Sequence, residues 1–182
     1  STLFPYTTLF RSYVRPDAAL RIVTEATPLT VVKQALASAD LPTLWDLFVG
    51  LNNGSLGAIS AGACLLGGLY LCARRVASWE IPFGMIVGAG LTAALFYYGK
   101  PGLTAPPGYH VLSGALLFGA FFIATDPVTS PLTNRGKLLF GFGNGFLVIL
   151  IRVLSGYPEG VMFAVLLMNA VVPLLNRWTI PQ

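Results

Sequence analysis

The sequence predicts an all-α polytopic membrane protein, a bundle of about five transmembrane helices preceded by a polar segment. Three observations carry this reading. Charged residues make up 10% of the 182 residues and hydrophobic ones 55%, whereas a soluble domain carries roughly a quarter charged residues. The charges gather in short stretches. Between them run apolar blocks that approach the ~20 residues a helix needs to cross a bilayer. A formal net charge of +4 is then what cytoplasmic loops give such a chain, and no nucleic-acid partner is expected.

Residues 1–12, STLFPYTTLFRS, look like translated sequencing-adapter sequence and are expected to be a non-native leader. They lack the basic start and continuous apolar core of a signal peptide. With no initiator Met, the chain is expected to be a fragment whose N-terminal half is missing. Residues 13–53 are mixed in polarity and interrupted by Pro16, Pro28 and Pro42, so they are expected outside the membrane. Within them Pro28–Ala39 suits a short helix with proline in its first turn. Residues 54–178 form the expected transmembrane domain, with spans at 55–73, 81–98, 109–125, 138–153 and 160–176, and 179–182 are a C-terminal tail. Several spans are short or rich in glycine, which fits close helix packing in a bundle.

Lys and Arg in the short loops set orientation. Arg74, Arg75, Arg135, Lys137 and Arg177 fall on one side of the spans; Lys100 and Arg152 fall on the other, with Arg15, Arg21 and Lys33 before the first span. The first group is expected in the cytoplasm, which puts residues 13–53 outside. Paired Arg74 and Arg75, interfacial Trp79 and helix-opening Pro82 suit a tight cytoplasmic hairpin. Cys64 and Cys72 share one apolar block and the chain has one His, so neither a disulfide framework nor a metal site is expected.

Three stretches carry polar groups worth weighing. In TEATPL, residues 24–29, Thr27 precedes a proline and suits an ordinary cap or turn; its hydroxyl is also a possible phosphoryl acceptor, with small Ala26 leaving room beside it. In FFIATDPVTSPLT, Asp126 ends an apolar span among Thr125, Thr129, Ser130 and Thr133. That is either a capped turn or a cofactor or cation site at the membrane face. In the last stretch, Arg152 and Glu159 flank a Gly-Tyr-Pro turn and have charges that suit pairing across it, while Asn169 places an amide inside an apolar span that needs a partner. His110, after Pro106, Pro107, Gly108 and Tyr109, reads as an interfacial surface residue.

Taken in order, TEATPL, NNGSLGAISAGACLLGGLYL, LSGALLFGAFFIATDPVTSPLT and SGYPEGVMFAVLLMNAVVPLL resemble the D subunit of Rnf electron-transport complexes from about residue 17 to 178. The related B subunit of the sodium-pumping NADH:quinone reductase is the nearest alternative. The resemblance implies a flavoprotein subunit of an ion-translocating ferredoxin:NAD oxidoreductase in the bacterial inner membrane. FMN would be joined by a phosphoester to Thr27, with Thr24, Ala26, Asp126, Thr129 and Asn169 as further flavin-side residues and a second, non-covalent flavin as an additional expectation. Partners would be the other Rnf subunits, membrane lipid, and Na+ or H+. The chain departs from the family pattern at Arg21, where an acid is common, at Glu25, where a small residue is common, and at Ala58, where Glu is common. Two other classes remain open on the residues alone: a secondary transporter using Asp126, and a purely structural membrane subunit.

Overall fold

The computed structural model describes residues 43–50, 60–99, 106–155 and 159–179. Helix α1, Leu44–Val49, starts where the Thr43 N–H donates to Asp46 Oδ2 at 3.3 Å and stops at Gly50. That glycine sits at φ 93°, a left-handed cap that lets its N–H reach Asp46 O at 2.8 Å. Helix α2, Ala61–Ala73, begins at Ser60, whose hydroxyl accepts from the Ala63 N–H and donates to Phe48 O at 3.0 Å. One side chain thus caps α2 and ties it to α1.

The remaining elements are α3, Glu80–Gly99; α4, Pro107–Leu112; α5, Leu116–Phe118, continued by a π-helical turn at Gly119–Ile123; α6, Asn134–Leu154; and α7, Val161–Thr179. The expected all-helical membrane architecture is present. Helices α3, α6 and α7 are long and apolar enough to cross a bilayer, and their ends lie within four residues of the expected spans. The first span differs from the expected 55–73: α2 starts after the extended Ser60 cap and is 13 residues long, and residues 51–59 lie outside the described residues. The third span differs from a continuous 109–125 helix. It breaks between α4 and α5, where Gly114 takes φ 73°, and it finishes in the π-helical turn.

The packing centre is the contact of α3 with α6, and its cause is visible in the sequence. Gly84 and Gly88 stand four apart on α3, and Gly141 and Gly145 stand four apart on α6. A Cβ on Gly84 would lie 2.6 Å from Leu138 O, and one on Gly141 or Gly145 would run into the backbone carbonyls of Ile81 or Met85. The two backbones therefore touch. In lipid, where apolar burial gives helices little reason to associate, such close approach supplies the dispersion contacts that hold them. Ile81, Met85, Ala89, Phe140, Val148 and Ile149 fill the space around this contact, and Ala164 and Val165 of α7 close it. The outer surface is apolar instead of charged: Leu66, Leu95 and Leu166 are each more than 70% exposed, as lipid-facing or subunit-facing positions are.

The helix ends sort into two faces. At one, Lys137 Nζ donates to Ser78 Oγ at 2.7 Å, Thr133 donates to the Thr179 hydroxyl at 2.6 Å, and the Leu132 N–H donates to Asn176 Oδ1 at 3.0 Å. This face collects Arg74, Arg75, Arg135, Lys137 and Arg177, the grouping expected from the loops. At the opposite face α1 packs on α4 through Leu47, Tyr109 and Leu112, and Arg152 reaches the end of α4. Lys100, Arg15, Arg21 and Lys33 lie outside the described residues.

Candidate functional site

Thr24, Ala26 and Thr27 lie outside the described residues, as do Arg21, Glu25 and Ala58. The described chemistry gathers at the two ends of the interrupted third span. Broken helices in membranes leave backbone groups that only protein or water can satisfy, and each end of this span solves that differently.

At the break, the solution is a buried guanidinium. Arg152, in the last turn of α6, is 3% exposed. Its Nη1 donates to His110 O at 2.6 Å and its Nη2 to Ser113 O at 3.2 Å, so one cation takes two carbonyls freed where α4 stops. Nη2 also pairs with Glu159 Oε2 at 3.4 Å, while Glu159 Oε1 accepts from the Ala115 N–H at 3.2 Å. The pairing expected across the loop is therefore present, and it grips the chain on both sides of Gly114. A Cβ at Gly114 would collide with Glu159 Oε1. The cation also sits at the negative end of the α6 dipole. In α4, the residue that follows it and α6, Tyr109 Oη, both ring nitrogens of His110, Ser113 Oγ and Arg152 Nε are buried with no hydrogen-bond partner among the described residues. His110 is thus a correction: it is 5% exposed and not an interfacial surface residue. The turn that carries it is tucked between α1 and α3 and held from behind by Arg152.

At the other end, Asp126 is part of a capped turn. Its Oδ1 accepts from the Val128 N–H at 3.3 Å and its Oδ2 from the Thr129 hydroxyl at 3.3 Å, and its carbonyl accepts from the Ser130 N–H at 3.1 Å. Thr125 spends its hydroxyl proton on Phe121 O at 2.7 Å. Thr133 caps α6 by accepting from the Gly136 N–H. The carboxylate thus does what a carboxylate before proline does in many turns. No cluster of three or more metal-ligating side chains occurs among the described residues. Asp126→Ala is expected to cost about 1 kcal/mol by removing both acceptors, read as a small fall in the thermal midpoint of the purified protein. Asp126→Asn, which keeps one acceptor oxygen, is expected to cost less.

The structure brings Asp126 and Thr129 together but leaves Asn169 elsewhere. Asn169 lies seven residues before Asn176 on α7, roughly 10 Å along the helix axis, and Asn176 is the residue that meets the turn through Leu132. The Asn169 Oδ1 is buried with no partner among the described residues. Asn144, which sequence reasoning passed over, is fully buried on α6; its amide N–H donates to Phe140 O at 3.0 Å and its Oδ1 is likewise unpaired there. The signal that would have found it is an amide within the long apolar run of α6.

A close-packed bundle with an interrupted span, buried charge at the break and apolar flanks defines a polytopic helical membrane protein. The sequence model of the NQR2, RnfD, RnfE family matches residues 2–182, and the chain belongs to that family. It is 50% identical over 139 residues to the D subunit of the ion-translocating oxidoreductase complex of Stutzerimonas stutzeri, covering 76% of this chain and 39% of that one. It is 43% identical over 167 residues to the D subunit of the proton-translocating ferredoxin:NAD(+) oxidoreductase complex of Clostridium ljungdahlii, covering 87% and 50%. To the D subunit of the Na(+)-translocating ferredoxin:NAD(+) oxidoreductase complex of Acetobacterium woodii it is 41% identical over 159 residues, covering 86% and 48%. The chain spans half or less of the length of these relatives.

Proposed function

We propose that the chain acts as part of the D-type membrane subunit of an ion-translocating ferredoxin:NAD oxidoreductase of the Rnf kind, carrying electrons through FMN held by a phosphoester on Thr27. The observation that carries this reading is the Ala26-Thr27-Pro28 sequence in a chain of this family. The bound flavin would supply the redox chemistry, accepting and passing on electrons. The chain's own part is placement. Thr27 Oγ would anchor the phosphate, with the small side chain of Ala26 before it and Pro28, a residue that favours turns, after it in the sequence. Thr24 stands three residues before the anchor in the same segment. A covalent anchor keeps the flavin at the membrane face whatever its reversible affinity. For a second, non-covalent flavin the described residues offer the unpaired amide oxygen of Asn169 as a hydrogen-bond acceptor. Arg152 and Glu159 keep the interrupted span in register.

Relatives whose names specify proton and Na+ translocation match this chain about equally well, so Na+ or H+ is the coupling ion in this reading. Work of the Asp126 charge beyond its turn belongs to the same proposal: Asp126→Asn is expected to lower coupled transport while the assembled complex persists. Because the family also takes in the corresponding quinone-reductase subunit, ferredoxin-dependent against quinone-dependent turnover separates those two memberships.

The site of action is the bacterial inner membrane, with Arg74, Arg75, Arg135 and Lys137 in the cytoplasm and Thr27 on the periplasmic face. The support is that α1, which follows the Thr27 segment, packs on α4 at the end away from those cations. Reporter fusions beside Arg75 and Arg135 are expected to be active in their cytoplasmic form and one beside Lys100 in its periplasmic form; the reverse pattern overturns this orientation. The flavin itself is tested by expressing the full-length subunit with its partners and a flavin transferase. A fluorescent flavin band retained on the denatured subunit is expected, and a dark band at full transferase activity contradicts the proposal.

A further inference from the structure

At the face that gathers Arg74, Arg75, Arg135 and Lys137, the α2–α3 hairpin and the 124–133 turn enclose a pocket of about 140 Å3. Val76, Ser78, Thr125, Ser130, Leu132 and Lys137 contribute to its lining, and Pro127 and Pro131 complete it. Its chemistry is that of an anion site. Lys137 Nζ spends one of its three N–H groups on Ser78 Oγ at 2.7 Å, and among the described residues no carboxylate pairs with it. The hydroxyl protons of Ser78 and Ser130 are not committed to any acceptor among those residues. Pro127 and Pro131 have no N–H, and the N–H groups of Val76, Ser130, Leu132 and Lys137 are committed to Leu71 O, Asp126 O, Asn176 Oδ1 and Thr133 O, so the side chains are the main donors. Negative charge nearby is limited. Asp126 has its two oxygens turned to Val128 N–H and the Thr129 hydroxyl, and Glu80 is buried at the start of α3.

The apolar members of the lining, Val76 and Leu132, are more than half exposed, as are Trp79 and Val128, the chain neighbours of lining residues Ser78 and Pro127. A cationic, hydroxyl-lined hole with an apolar rim, placed where helices leave the membrane, has the layout of a phospholipid site. We propose that this pocket binds the phosphodiester of an anionic phospholipid headgroup, with Lys137, Ser78 and Ser130 donating to its oxygens and the acyl chains lying along Val76, Val128 and Leu132. A free phosphate would satisfy the same donors but would leave the apolar rim unused. The site is independent of the flavin proposed above.

The test uses the full-length subunit in its complex, delipidated in detergent and titrated with phosphatidylglycerol, phosphatidylcholine or inorganic phosphate under native mass spectrometry. Phosphatidylglycerol is expected to bind in preference to phosphatidylcholine. Lys137→Gln is expected to weaken it by at least about tenfold, the loss of one charge-assisted hydrogen bond, while Lys137→Arg keeps most of it and Arg74→Gln changes it little. Equal binding by wild type and Lys137→Gln overturns the proposal, and so does saturation by inorganic phosphate with no lipid preference. Should Lys137→Gln fail to assemble, phosphatidylglycerol with a photoreactive group near its headgroup is applied to the wild type. Label on residues 76–79 or 125–137, displaced by excess phosphatidylglycerol, is expected; label elsewhere overturns it.

Discussion

Gly145→Leu is expected to abolish assembly of the bundle. The Gly145 Cα faces the Met85 carbonyl and the Ala89 N–H across the α3–α6 contact, so even a methyl group there meets backbone and not a movable side chain. Overpacking a well-filled interior costs about 1–3 kcal/mol when side chains can yield, and more is expected here because neither helix can yield without parting from the other. Gly145→Ala should already lower the thermal midpoint of the detergent-solubilised protein. Gly90→Leu supplies the internal control: it lies on the same α3, but a Cβ there meets nothing within 4 Å among the described residues, and it should melt like the wild type. Equal midpoints for Gly145→Leu and Gly90→Leu would mean that α3 and α6 are held by something other than their glycine contact.

The second large effect is expected at Arg152. Arg152→Gln removes the donors to His110 O and Ser113 O and leaves two buried carbonyls, each costing about 1–3 kcal/mol. The ion pair adds less than a fully buried one, because the Glu159 side chain is 42% exposed and screened by solvent. Glu159→Gln, which can still accept from the Ala115 N–H, is therefore expected to destabilise the protein less than Arg152→Gln does. The double variant should fall short of the sum, since the two side chains grip one break. Limited proteolysis should show the same order through faster cleavage between residues 112 and 116 in Arg152→Gln. A wild-type midpoint for that variant would remove the clamp from the account.

How far the fold could be read from sequence depended on how local each cause was. The spans of α3, α6 and α7 were legible because length and apolar composition are local properties. The grouping of Arg74, Arg75, Arg135, Lys137 and Arg177 at one face was legible for the same reason: it needs only alternation of the spans. The capped turn at Asp126 was one of two readings the sequence offered, since an acid before proline among hydroxyls announces its own hydrogen bonds. The break of the third span was hidden, because Ser113, Gly114 and Ala115 sit in a run that is apolar enough to pass for continuous helix. What makes the break stable is Arg152, whose two carbonyl partners lie 42 and 39 residues away. Its pairing with Glu159 was visible in the sequence, but its burial was not. His110 was misplaced for the same cause, since a proline-led aromatic turn resembles a surface until α1, α3 and α6 close around it. Thr27 was singled out by resemblance, and its hydroxyl alone would have remained an ordinary cap.

The flavin on Thr27 is the centre of the functional account, and peptide mass spectrometry of the full-length subunit tests it most directly. The subunit is expressed with its partners and a flavin transferase, and the peptide containing Thr24, Thr27 and Thr30 is isolated. Of these hydroxyls only Thr27 stands between Ala and Pro, so fragmentation should assign the FMN mass increment to Thr27. The increment should vanish in Thr27→Ala, while the subunit still inserts and assembles. An unmodified wild-type peptide, in cells whose transferase modifies another substrate, would show that Arg21 or Glu25 has disabled the attachment signature and would contradict the account.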